Sequence, residues 1–220
     1  MNSFIGSSIG RKIAMSISAI FLMIFLLQHL AINITSVFSP KLFNFLSHFM
    51  GTNPLVQFIA QPILIFGVIF HFLMGIFLEI NNKKATISHY EKNTAKDNSS
   101  WMSRNMILSG LVILAFFILH FYDFWIPEMS HKYIHFLPED PHRYYDELTH
   151  KFENIFRVIF YCISFILLSL HLLHGFNSSL KSLGANKIYL KPIKTIGFIY
   201  SIFVPFGFCF IAIYHHLNIH

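Results

Sequence analysis

Charge is what this chain has least of. Only 12% of its 220 residues are Asp, Glu, Lys or Arg, about half the share of an average soluble domain. A soluble fold of this length must cover its surface with polar groups, and too few are present. Disorder is excluded as well, because disordered chains are poor in apolar residues and here these make up 55%. Cysteine is scarce: Cys162 and Cys209 both lie in apolar runs, so no disulfide framework is implied. No Lys/Arg-rich cluster accompanies a recognition motif, so the net charge of +6 does not point to nucleic acid. What the chain does have is 27 phenylalanines and 14 histidines. The apolar excess makes it an integral membrane protein. The histidines are then informative, because apolar helices do not need them.

Apolar runs of about 20 residues fall at Ile13 to Ser36, Leu55 to Ile80, Asn105 to Trp125, Asn154 to Phe176 and Ile193 to His216. They predict an all-α, five-helix membrane bundle, with residues 1–220 forming a single membrane domain. The first span is too long for a signal-peptide core and no small-residue cleavage site follows it, so it is expected to be retained. Pro62 and Pro205 lie inside spans and are expected to mark kinks. Eleven of the 16 basic residues fall on the side holding Arg11, Lys84, Lys96 and Lys194. The rule that cytoplasmic loops are basic then puts the N-terminus in the cytoplasm and the C-terminus outside. The outer loop, Ile126 to Glu153, is acidic and proline-punctuated. Its end, His142 to Glu153, is expected to form a short interfacial helix.

Glu79, Asp123 and Arg157 sit near span ends, which weakens the case for a carboxylate-based pump. His29, His71, His120 and His171 lie well inside four different spans. Counting from span midpoints, His29 and His120 are each roughly 7 Å to the outer side, and His71 and His171 roughly 5 and 9 Å to the inner side. Two layers roughly 14 Å apart result. Paired imidazoles at one depth on separate helices are what bis-histidine haem ligation requires. C-x-x-C-H is absent, so two haems b would be held without covalent attachment. Gly67 and Gly75 flank His71 at four residues, and Gly175 follows His171 at four. They share the ligand's face and are expected to clear room for a flat macrocycle. Ser109, eleven residues before His120, shares that histidine's face; Ser18 and Asn33 hold comparable places around His29.

A lone histidine in a membrane helix is often an interhelical hydrogen-bonder. Four, matched in depth, are harder to produce that way. No HExxH or His-x3-His set within one span points to a haem-free metal site. His131, His135, His142 and His150 read as solvated loop residues. His215, His216 and His220 read as a frayed end. Arg157 lies fourteen residues before His171, within roughly 40° of the same helix face. That makes it a candidate to hold a haem propionate with two hydrogen bonds. The other reading is an arginine that snorkels outward to lipid or Glu153.

SSIGRK at Ser7 to Lys12, LLQHL around His29, SHFMGTNPLVQF from Ser47 to Phe58, FHFLMG around His71, SSWMSRNM from Ser99 to Met106, LHFYDFW around His120 and LHLLHGF around His171 are similar to one family. They resemble the cytochrome b subunit of succinate dehydrogenase and fumarate reductase, in its single-polypeptide, five-helix, di-haem form. The resemblance covers nearly the whole chain. It implies a membrane anchor that passes electrons between an iron–sulfur subunit and a quinone, usually menaquinone. It also implies a flavoprotein partner (FAD), a bacterial inner-membrane location and no succinate chemistry in this subunit alone. The family's four haem ligands map onto His29, His71, His120 and His171. His174 competes with His171, but the His-x3-Gly context shared with His71 favours His171.

Some members carry a glutamate two residues before the fourth ligand, where this chain has Ser169. Some carry one after the first helix, where nothing acidic lies between Ser36 and Pro54. A compensating proton path is therefore not implied, and the quinone site does not carry over. By depth, Asn33, His48, Asn53 and Gln57 are its candidates. Two rival readings stand beside this one: a di-haem b-type cytochrome of another membrane dehydrogenase, and a haem-free transporter or scaffold with histidines as helix glue.

Overall fold

The computed structural model describes residues 7–87, 106–184 and 187–218. Among them all regular structure is helical. Helix α1 is Ser8–Asn33, extended by a turn at Thr35–Phe38. Then come α2 (Pro40–Thr52), α3 (Gln61–Ile87), α4 (Met106–His120), α5 (Arg143–Phe152), α6 (Ile155–Ser182) and α7 (Lys187–Leu217). Five stretches are long and apolar enough to cross a membrane: Ser8–Phe38, Val56–Lys84, Met106–Ile134, Ile155–Ser182 and Lys191–Leu217. The protein is thus a multi-pass helical membrane protein. Lys92, Lys96 and Arg104 and most of the SSWMSRNM segment, on which the orientation expectation partly rests, lie outside the described residues.

Local signals explain several helix starts. Ser7 accepts a hydrogen bond from Gly10 N–H at the head of α1. Asn154 accepts from Phe156 and Arg157 at the head of α6. Such caps satisfy amides that have no partner within the helix.

Two elements depart from the sequence expectation. Helix α2 was not anticipated, although Ser39 caps it by accepting from Leu42 N–H and Pro40 opens it. It is too short to span a membrane. It buries Phe43 and Asn44 instead, and Asn44 ties it to α5 by donating to the His142 carbonyl and accepting from Tyr145 N–H. The third span also runs on into the supposed outer loop, as far as Ile134. A π-helical segment at Phe121–Trp125 leads into a turn at Ile126–Met129 and a second π segment at Ser130–Ile134. The loop reading rested on Pro127 and on charge. Pro127 stands in the first turn after the wide segment. The charges neutralise one another, because Glu128 is clasped by Lys132 and Arg143. The expected interfacial helix is present as α5.

Helices α1, α3, α4 and α6 form a ring. α1 packs on α3 and α6, α6 packs on α4, and α3 touches α4 only lightly. α7 lies outside the ring, mainly against α6 and also α1. Leu30, Tyr161, Phe165, Val204, Phe208 and Ala212 belong to the buried core where α1, α6 and α7 meet. Gly207 permits that approach: a Cβ there would lie 2.9 Å from Leu30 Cδ1, and Leu30 is itself buried. Overpacking a filled site costs about 1–3 kcal/mol. Gly207→Ala should therefore lower the unfolding temperature in detergent, and an unchanged temperature would show that α7 has room to retreat.

Candidate functional site: two facing histidine pairs

The ring geometry brings the four span histidines together in twos. His29 on α1 faces His120 on α4, ring centroids 5.8 Å apart and planes at 90°. His71 on α3 faces His171 on α6, centroids 6.4 Å apart and planes at 64°. α1 and α4 are opposite members of the ring, as are α3 and α6, so each pair crosses the bundle interior. The pairing is the one the depth arithmetic predicts. His71's partner is His171. His174, one turn further on, makes no ring contact with it.

A serine stands behind each member of the inner pair. Ser18 Oγ is 3.0 Å from His71 Nδ1 and 2.8 Å from the Met15 carbonyl. Ser109 Oγ is 3.1 Å from His171 Nδ1 and 2.9 Å from the Met106 carbonyl. A hydroxyl has one proton. With that proton on the carbonyl, the hydroxyl oxygen is free to accept from an imidazole Nδ1–H. That arrangement corresponds to the Nδ1–H tautomer, with the lone pair on Nε2. These serines share the helix faces of His29 and His120, as the sequence spacing implied, but they meet the histidines of the other layer. Eleven residues correspond to about 16 Å of helix, so α1 and α4 each carry a ligand-type histidine in the outer layer and a serine in the inner one.

The outer pair is held differently. Phe25 stacks on His29 at 5.4 Å, and Phe116 stacks on His120 at 5.5 Å. Phe208 lies against His29, and Phe124 against His120. Asn33 donates to the His29 carbonyl at 2.8 Å. Its amide nitrogen is 3.4 Å from Nδ1 and 3.5 Å from Nε2, so it is aimed squarely at neither ring nitrogen. His120 Nδ1 is buried without a hydrogen-bond partner.

The glycines do not leave open space. A Cβ on Gly67 would lie 2.8 Å from the Phe21 ring, and those on Gly75 and Gly175 would touch Met15 and Met106. The room expected there is taken by the Phe21 ring at Gly67 and by the flexible ends of Met15 and Met106 at Gly75 and Gly175. A Cβ on Gly110, unremarked in the sequence, would lie 3.8 Å from His171 Cε1.

Arg157 stands in the first turn of α6, near a span end as expected, whereas Asp123 lies within the third span, and the two face each other. The Arg157 Nε lies 3.1 Å from Asp123 Oδ2, and Tyr161 donates to the same oxygen at 2.9 Å. The Asp123 side chain is 0% exposed. Arg157 does not pair with Glu153, which faces His150. Asp123 follows His120 by three residues and so shares its face. That spacing was the available signal.

His215 also departs from expectation. It is buried, and its Nε2 is 2.8 Å from Ser36 Oγ. Its neighbour His216 donates from Nδ1 to the Phe152 carbonyl. The end of α7 is therefore anchored. His220 lies outside the described residues.

The quinone candidates separate into different roles. Asn53 caps the next helical segment, accepting from Leu55 and Val56. Gln57 donates to the Gly51 carbonyl and accepts from Tyr133. His48 lies 3.8 Å from Glu139 and edge-on to Tyr144, with its Nδ1 buried and unpartnered. Burial and the Glu128 carboxylate push the Tyr144 phenol up to about 12, so it remains a donor. His48 and Gln57 share the polar patch around Gly51, Glu128 and Lys132, whereas Asn33 stands at the outer histidine pair. Among the described residues no group of three or more His, Cys, Asp or Glu side chains forms a metal site. No family model, curated protein or solved structure matches this chain.

Proposed function

We propose that this chain is the membrane anchor and electron-transfer subunit of a succinate:quinone oxidoreductase, built to hold two haems b. The observation that carries the reading is the inner pair. Ser18 and Ser109 stand at Nδ1 of the two rings, and in the tautomer in which they accept Nδ1–H each Nε2 carries a lone pair. Two lone pairs on facing rings cannot hydrogen-bond each other. An electron-pair acceptor between the rings would use both lone pairs, which supports the haem reading over histidines acting as helix glue. The spacing suits a metal: two imidazoles bound on opposite sides of one ion, each at about 2 Å, have centroids about 6 Å apart. The donor set, two neutral imidazoles and no thiolate or carboxylate, is that of six-coordinate haem iron. His29 and His120 would hold the outer group, and His71 and His171 the inner one.

A haem so held supplies a reversible one-electron carrier with no open position for oxygen chemistry. The chain's own residues do the rest. Ser18 and Ser109 orient the inner imidazoles and present Nε2. Phe25, Phe116, Phe124 and Phe208 fix the outer rings and exclude water. The resemblance supplies the partners, a flavoprotein and an iron–sulfur protein, and a quinone, usually menaquinone. It also supplies the bacterial inner membrane. The N-terminus would be cytoplasmic and the C-terminus outside, with docking on the loops from Asn81 to Arg104 and Asn177 to Lys194.

Purification in mild detergent tests this directly. The expected result is two non-covalent, low-spin b haems per chain, together with a covalent-flavin protein that oxidises succinate. A colourless protein would remove the haem reading. Haem without that flavoprotein would leave a di-haem subunit of another dehydrogenase.

A further inference from the structure

We propose that Asp123 is the buried counter-charge of the outer site, with Arg157 and Tyr161 as its two moderators; this rests on the haem reading of the His29–His120 pair. The asymmetry of the triad carries the argument. Asp123 is wholly enclosed, while a quarter of the Arg157 side chain is exposed, at 0% and 25%. Water screens the guanidinium better than the carboxylate. Both donors also use the same oxygen, Oδ2. Oδ1 is buried with no hydrogen-bond partner. The compensation is thus one-sided, and a net negative field remains inside the bundle. Its place is defined: Asp123 is three residues beyond His120, and the Tyr161 ring is 6.5 Å from the His120 ring. The inner pair has only neutral serine hydroxyls at its Nδ1 atoms.

The π-helical segment Phe121–Trp125 contains Asp123 and begins directly after His120. Such segments take one more residue per hydrogen-bonded ring than an α-helix and gather at functional sites. The carboxylate is therefore positioned by a departure from α-helical register next to the ligand itself.

The direction of the effect follows from charge. Oxidised haem iron is one unit more positive than reduced iron. A nearby carboxylate in a poor dielectric stabilises the oxidised form and lowers the midpoint. A guanidinium, or a hydroxyl donating to that carboxylate, acts the other way. Asp123 is thus a positioning residue for the outer potential, not a ligand.

The test is a spectroscopic redox titration of the purified complex. Asp123→Asn, close to isosteric, should shift the outer midpoint upward and leave the inner one in place. Tyr161→Phe, which removes one donor, should shift the outer midpoint downward. The double variant Asp123→Asn/Arg157→Gln, which deletes both charges, should return toward the wild-type value. Opposite signs separate charge from packing, because a merely structural role would move both single variants alike. If Asp123→Asn sheds the outer haem, the sign in Tyr161→Phe still decides. An unmoved outer midpoint in a variant that retains both haems, or shifts of one sign in both single variants, overturns the inference. Absence of haem from the wild-type protein would instead overturn the reading beneath it.

Discussion

His71→Ala and His171→Ala should each remove the inner haem and leave the outer one, so that haem content falls from two per chain to one. The reason is geometric. Each imidazole has a single counterpart, at 6.4 Å across the bundle, and no second histidine ring stands within contact of His71 to replace it. His29→Ala and His120→Ala should do the reverse, because those rings face each other at 5.8 Å in the other layer. Loss of one ligand leaves the remaining imidazole with an unshared lone pair in a dry interior, which is costly to bury. His174→Ala is the control and should keep both haems. Redox titration and a pyridine-haemochrome count distinguish the two species. If all four ligand variants retained two low-spin haems, the ligand assignment would be wrong. Loss of the inner haem in His174→Ala with retention in His171→Ala would move the fourth ligand by one turn.

Much of this arrangement was legible in the chain. A run of about 20 apolar residues is long enough to declare a span, and a fixed rise per residue turns sequence position into depth. Depth alone pairs His29 with His120 and His71 with His171. What depth does not give is azimuth across a bundle. Ser18 and Ser109 were placed on the faces of His29 and His120, which is correct along each helix. Which residue on a neighbouring helix meets them depends on how the helices lean together. The clue lay in the numbers: eleven residues of rise, about 16 Å, nearly match the expected layer spacing, so a serine that far from an outer ligand sits at the inner layer. Asp123 and Arg157 were hidden for the same reason. Each looked like a span-end charge because its partner lies on another helix. His215 looked frayed because it stands near the chain end, yet Ser36, on the turn that follows α1, holds it in the core. Helix α2 was passed over because a search for long apolar runs does not register thirteen amphipathic residues, although the Ser39–Pro40 start signal was present.

The double substitution Ser18→Ala/Ser109→Ala should weaken retention of the inner haem by about 10- to 100-fold, the usual cost of deleting groups that orient a metal-bound histidine, and leave the outer haem unchanged. Each serine oxygen stands at Nδ1 of an inner imidazole, at 3.0 Å for His71 and 3.1 Å for His171, where it would accept the Nδ1 proton of a haem-bound ring. Without those acceptors the rings are free to rotate about χ2 or to move the proton to Nε2. The second change abolishes the ligand lone pair outright. Alanine fits either site with little loss of packing, because serine and alanine differ by one oxygen and both occur readily in membrane helices. A general loss of stability is controlled for by Ser36→Ala. Ser36 makes the same kind of bond, at 2.8 Å to His215, but His215 faces tyrosines, not a second histidine. That variant should cost stability by the loss of a buried hydrogen bond, about 1–3 kcal/mol for the group left unpaired, and should lose no haem. The measurement is transfer of haem to an excess of an apo-globin acceptor, followed at the two haems' separate spectral signatures. Faster release from the inner site alone is the expected outcome. Equal release from both sites in the double variant, or release in Ser36→Ala as well, would mean that the serines support the bundle and not the ligands.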